Sequence, residues 1–107
     1  MKLEKTFGDT VKKLREDNNL PLRVVAEALS IDTSMLGKIE KNTRKPTKQI
    51  IEKFAKFFKV SNKDLTIAFL SDSFAYQLIE EDDISSEVFK VAEKKVEYFK
   101  IKKPIDK

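Results

Sequence analysis

A chain of 107 residues can build one small core of five or six helices but not two independent domains. With no Cys and no His, disulfides and thiolate or imidazole metal sites are excluded, along with the two commonest catalytic side chains near neutral pH. The net charge of +4 is unevenly spread: residues 1–60 hold 14 Lys and Arg against 8 Asp and Glu, whereas residues 61–107 hold 8 against 10. Only two Gly and three Pro, among many Lys, Glu, Leu and Phe, point to an all-α fold. No apolar run approaches the roughly 18 residues of a membrane span, and the opening Met-Lys-Leu-Glu-Lys has no signal-peptide apolar stretch. The expectation is a soluble, cytoplasmic protein.

In chain order, Phe7, Val11 and Leu14 form the buried stripe of a first helix expected from about Thr6 to Asn18. Asn18-Asn19-Leu20-Pro21 ends it and opens a second helix, because proline suits a first helical turn and disfavours helix at the residue before it. Val25, Ala26 and Leu29 share one face of that second helix, and Ala26 is small enough for a close helix crossing. Ile31 fills the turn. Asp32 is expected to cap a third helix with its side chain, Leu36 and Ile39 give that helix its inward edge, and Asn42 fits the left-handed position that ends it. A fourth helix follows Pro46, is capped by Thr47, and carries Ile50, Ile51, Phe54, Ala55, Phe57 and Phe58. Ser61 with Asp64 resembles a capping box at the start of a fifth. Leu65, Ala68, Phe69, Phe74, Leu78 and Ile79 continue the fifth helix up to the acidic run Glu80-Glu81-Asp82-Asp83. Beyond it Val88, Val91, Ala92, Val96 and Phe99 mark a last amphipathic helix.

Two short helices joined by a tight turn, the second beginning with small polar residues and followed by Lys38, Lys41, Arg44, Lys45 and Lys48, suit the major groove of DNA. From Leu20 to Pro46 the chain resembles the helix-turn-helix of the phage repressor and Cro type, the XRE family. Leu20, Val25, Ala26, Ile31, Leu36, Ile39, Glu40, Arg44 and Pro46 stand on the family's matching places. The similarity runs on through Ile51, Phe54-Ala55, Phe58 and Val60-Ser61 into the family's fourth helix and the start of its fifth, covering roughly the first two thirds of the chain. Three positions depart from the pattern: Leu22 replaces a phosphate-contacting Gln, Ser30 replaces the turn Gly, and Asn42 replaces the Gly after the recognition helix. In size and C-terminal extension the chain is also similar to the controller proteins of restriction–modification systems.

The resemblance implies a five-helix DNA-binding domain over residues 1–70, and residues 71–107, where the resemblance thins, are read as a helical extension whose surplus apolar residues suit dimerisation. Base edges are expected to meet Asp32, Thr33, Ser34, Gly37 and Lys38, with Lys38 donating to guanine acceptors and Gly37 reading nothing but permitting close approach. Phosphates are expected to meet Arg23, Asn42, Thr43, Arg44 and Lys45, with Lys12 or Lys13 across the groove. Arg15 and Glu40 occupy the family's positions for a structural ion pair between the first and third helices. A core of this size cannot bury the apolar residues of the last two helices. Leu65, Phe69, Phe74, Leu78, Val88, Val91, Val96 and Phe99 are therefore assigned to a homodimer interface, which would set two recognition helices about 34 Å apart on a palindromic site. The acidic run reads as a solvated turn that also caps the following helix, since four adjacent carboxylates in a loop cannot converge on one ion. No catalytic residue, metal or cofactor is implied. The leading reading is a dimeric transcription regulator with double-stranded DNA as partner. The second is an antitoxin-type module whose C-terminal surface covers a toxin while the helix-turn-helix autoregulates; the protein partner expected is thus a toxin or, for a regulator, the transcription machinery.

Overall fold

A computed structural model describes residues 6–102, and the described chain is all-helical. Its elements are α1 (Phe7–Asp17), α2 (Leu22–Ala28), α3 (Thr33–Glu40), α4 (Lys48–Phe58), α5 (Asn62–Glu80), a 3₁₀ turn (Asp82–Ile84) and α6 (Ser85–Lys102). The chain divides into two compact units, Met1–Asp72 and Ser73–Lys107, with the division inside α5.

The first unit closes around one apolar core. Phe7 and Val11 from α1, Val25 and Ala26 from α2, Leu36 and Ile39 from α3, Ile50, Ile51 and Phe54 from α4, and Leu65 and Ala68 from α5 are all buried. The Phe7 ring meets Phe54 and Phe69 edge-on, each at a centroid distance of 6.0 Å. Leu65 and Phe69, expected at a subunit interface, thus belong to this core, Leu65 fully buried and Phe69 partly. The first turns of α5 complete this core, so Leu65 has no exposed surface to offer a second chain and Phe69 offers only part of its ring.

The N-terminus of α1 satisfies each of its first amide groups in a different way. A helix start leaves four backbone N–H groups without intrahelical partners. Here Phe7 N–H donates to Asp72 Oδ2 at 2.8 Å, Gly8 N–H to Asn42 Oδ1 at 3.0 Å, and Asp9 N–H to Thr6 Oγ1 at 3.0 Å. Thr10 N–H donates to the Thr6 carbonyl at 3.0 Å. Three of the four acceptors come from side chains, and two of those lie far away in sequence, which ties α1 to the end of α3 and to α5.

Helices α1 to α4 all stop in the same way. Asn19, Ser30, Asn42 and Lys59 adopt left-handed backbone with φ of 55°, 59°, 63° and 56°. In each case the following amide reaches back five residues: Leu20 to Arg15, Ile31 to Ala26, Thr43 to Lys38 and Val60 to Ala55, at 2.9–3.1 Å. This is the Schellman arrangement, with Leu20, Ile31 and Val60 packing against the core just past the turn. Ser30 does adopt the positive φ that the family's glycine would supply. Pro21 stands one place earlier than expected, at the N-cap of α2, where its carbonyl accepts from Val24 and Val25.

The second unit is a different kind of object. Phe74 and Phe89 lie 5.9 Å apart and Leu78 and Ala92 are half-buried, but among its described residues none is fully buried. Glu80, Glu81, Asp82 and Asp83 are all exposed, and Ser85 Oγ donates to the Asp82 carbonyl at 3.2 Å. No helix of the described chain is long and apolar enough to cross a membrane.

Candidate nucleic-acid interface

The surface that could meet DNA is made by α3 and the segment after it. Leu36 and Ile39 are buried and Met35 packs against the core, which turns Thr33, Ser34 and Lys38 outward into solvent. Gly37 lies on the same outward side, and a methyl group added to it would meet nothing within 4 Å. Its backbone φ is not in the left-handed region, so the fold itself does not require glycine here. The vacant strip between Ser34 and Lys38 is open to whatever approaches the helix.

Asp32 is exposed and stands at the N-cap, but its carboxylate makes no cap hydrogen bond, contrary to the sequence expectation. The turn before it is already held by the Ile31 amide on the Ala26 carbonyl, and the Asp32 carbonyl accepts from Leu36 at 3.0 Å. At a solvated helix start water replaces a side-chain cap at little cost, so the carboxylate stays free.

The frame behind α3 is an ion pair. Arg15 Nε donates to Glu40 Oε2 at 2.7 Å and Nη2 to Glu40 Oε1 at 3.0 Å, a bidentate fork, while Nη1 donates to the Leu20 carbonyl at 2.9 Å. The two side chains are 12% and 6% exposed. The hydrogen bonds to Glu40 hold the guanidinium above its usual pKa, against a smaller opposing push from burial. One group therefore joins α1, the α1–α2 turn and the end of α3, and it fixes the pitch at which the outer face of α3 is presented.

Asn42, expected to touch phosphate, is also built into the scaffold. Its Oδ1 accepts from Gly8 and its Nδ2 donates to Thr6 Oγ1 at 2.9 Å, while its own amide is bonded to the Ile39 carbonyl. One of the two Nδ2 hydrogens is spent on Thr6 and the other meets no acceptor among the described residues, so the residue joins the scaffold and keeps one donor on an exposed side chain. Gly8 makes the approach possible: a Cβ there would fall onto the Glu40 carbonyl oxygen and lie 2.6 Å from Asn42 Oδ1 and 2.8 Å from the Ile39 carbonyl oxygen. Sequence reading missed Gly8, Asp72 and the clamping role of Asn42. A glycine near a helix start, one of only two in the chain, was the available signal for close backbone contact.

The amides of Thr43 and Arg44 are likewise committed, both to the Lys38 carbonyl, and Thr43 Oγ1 points to the same oxygen at 3.2 Å. The side chains of Arg44 and Lys45 are exposed there, with Lys41 and Lys48 beside them. Arg23 is exposed on α2. Lys13 pairs with Asp17 at 3.4 Å on the open surface, whereas Lys12 lines a cleft of about 420 Å³ together with Leu22, Gly37, Lys41 and Asn42. Leu22 itself packs against the core. The cleft includes Gly37 of α3, with Lys12 of α1 and Lys41 just past the end of α3 on its walls beside Asp9 and Glu40.

Residues 11–61 match the family model of the helix-turn-helix domain. No curated protein and no solved structure matches the chain.

Proposed function

Residues 11–61 being a helix-turn-helix domain of the repressor and Cro (XRE) type, we propose that this DNA-binding transcription regulator binds a palindromic operator as a homodimer, with α3 in the major groove. The observation that carries this is the outer face of α3: Thr33, Ser34 and Lys38 are solvent-exposed around an open glycine, on a helix whose opposite face is locked by Leu36, Ile39 and the Arg15–Glu40 fork. Lys38 is the side chain suited to guanine O6 and N7, and the two hydroxyls can donate to or accept from either base-pair type. Arg23, Arg44 and Lys45 then fix the register through phosphates. Glycine at position 37 lets the helix backbone sit closer to the base edges than a larger residue would. The working compartment of such a regulator is the cytoplasm.

Selecting bound sites from random duplex DNA at near-physiological salt tests the reading. A two-fold symmetric consensus whose affinity is lost in the Lys38→Ala, Thr33→Ala double variant is expected. Binding that shows no sequence preference and falls steeply with salt would overturn it.

A further inference from the structure

We infer that α6 is the seam along which a second copy of this chain docks, the two helices running antiparallel and crossing at Ala92. The inference rests on the homodimer proposed above and specifies where and in which sense it closes.

The need for a partner is visible in the second unit taken alone. From Phe74 to Ile101 eleven large apolar side chains are between 38% and 81% exposed, and no described residue of the unit is fully buried. A solvated helix pair of this composition leaves far more apolar surface in water than scattered surface residues do.

The spacing on α6 specifies the partner. Ser85, Val88, Ala92, Val96 and Phe99 lie on one face at offsets of −7, −4, 0, +4 and +7 from Ala92. That pattern reads the same in both directions. An isologous contact sets residue i of one chain against residue j of the other and j against i, so each such pair occurs twice, and a residue on the axis meets its own copy. Antiparallel pairing about Ala92 therefore places Val88 against Val96 and Ser85 against Phe99, with the smallest residue at the axis where the backbones come closest.

Charge selects the same direction. From Glu80 to Glu87 the chain carries five carboxylates and no Lys or Arg, whereas from Lys90 to Lys102 it carries five lysines against Glu93 and Glu97. A parallel pair would set acidic end on acidic end and basic end on basic end. The antiparallel pair sets each acidic turn beside the lysine-rich end of its neighbour, bringing Asp82 and Asp83 towards Lys100 and Lys102.

The chain contains no cysteine, so single-cysteine variants of the full-length protein give an unambiguous test. Val88→Cys, Ala92→Cys and Val96→Cys sit at exposed or half-buried places, and retained helicity of each is checked by circular dichroism. Under mild oxidation Ala92→Cys is expected to form a disulfide-linked dimer with itself. An equimolar mixture of Val88→Cys and Val96→Cys is expected to form the mixed disulfide in preference to either homodisulfide. Separately, Asp82→Lys with Asp83→Lys is expected to weaken the dimer in sedimentation, and adding Lys100→Glu with Lys102→Glu to restore it. Preferential homodisulfides at 88 and 96 would mean a parallel seam and overturn the inference. A sedimenting dimer with no disulfide at any of the three positions would move the seam elsewhere and leave the homodimer standing. A monomer at all concentrations would remove both.

Discussion

Replacing Arg15 by methionine removes the fork from Glu40 and leaves its carboxylate, 6% exposed as a side chain, without its cation. Two charge-assisted hydrogen bonds to that carboxylate and one to the Leu20 carbonyl disappear together. Breaking a buried pair by deleting one partner costs about 3–5 kcal/mol, a large share of the roughly 5–15 kcal/mol that holds a small domain folded. Replacing both partners, Arg15→Met with Glu40→Met, leaves no stranded charge. An apolar pair of similar volume is about neutral, apart from about 1 kcal/mol for the Leu20 carbonyl. Urea unfolding followed at the helix band of the circular dichroism spectrum measures both, and the slope with urea is expected to stay constant across the series. The double variant is expected to be more stable than the Arg15→Met single variant by about 2 kcal/mol or more. Because the folded-state pKa of Arg15 is raised, its contribution is fully present below the ordinary arginine value and is lost only as pH climbs beyond that. The stability gap between wild type and Arg15→Met is thus expected to be the same at about pH 7 and about pH 9. A single variant that costs less than about 1 kcal/mol, or a double variant that costs the sum of the two singles, would refute the role assigned to the pair.

Gly8→Ala drives a methyl group onto two backbone carbonyls at the end of α3, and is expected to cost about 3 kcal/mol, the upper end for overpacking, by the same unfolding measurement. Asn42→Gly keeps the left-handed turn but loses both clamp bonds, so a loss of about 1–2 kcal/mol isolates the clamp, and Asn42→Ala is expected to lose about 1 kcal/mol more. Asp72→Ala leaves the Phe7 amide without its acceptor and is expected to cost about 1 kcal/mol, seen as faster amide exchange at the start of α1. Arg44→Ala and Lys45→Ala are expected to lower the slope of log affinity against log salt by about one each, in fluorescence-anisotropy titrations, without altering the preferred site.

Most of the helix-turn-helix can be read directly from residue types. The apolar spacing of Phe7, Val11, Val25, Leu36 and Ile39 identifies core faces because the helical repeat leaves them no other side, and the cap at Thr47 is local chemistry that needs no tertiary context. Contacts that depend on the path of the chain are not legible in this way. Asp72 caps a helix 65 residues away, and no local pattern separates it from any other acidic residue on an exposed helix. Asn42 looked free because its neighbours are basic and solvent-exposed. Its amide nevertheless also holds the start of α1, which the packing of Gly8 brings to it. Leu65 and Phe69 show the converse error: an apolar stripe running along one helix was assigned to a single partner, but the stripe changes environment partway, first closing the core and then facing water. Asp32 is the right residue in the right place with the expected bond unmade, since its helix start is hydrated.

The repeated helix ending also bears on how much stability the chain leaves unused. Asn19, Ser30, Asn42 and Lys59 occupy backbone that glycine adopts freely, and a side chain held there costs up to about 1 kcal/mol. Asn42 repays its share through the clamp; Ser30 and Lys59 are exposed. Exchanging those two for glycine lies in different turns and does not disturb the reading face, so the gains should sum. The domain therefore has a reserve of thermal tolerance within two substitutions, enough to absorb destabilising changes at positions 33, 34 and 38 on the exposed face of α3.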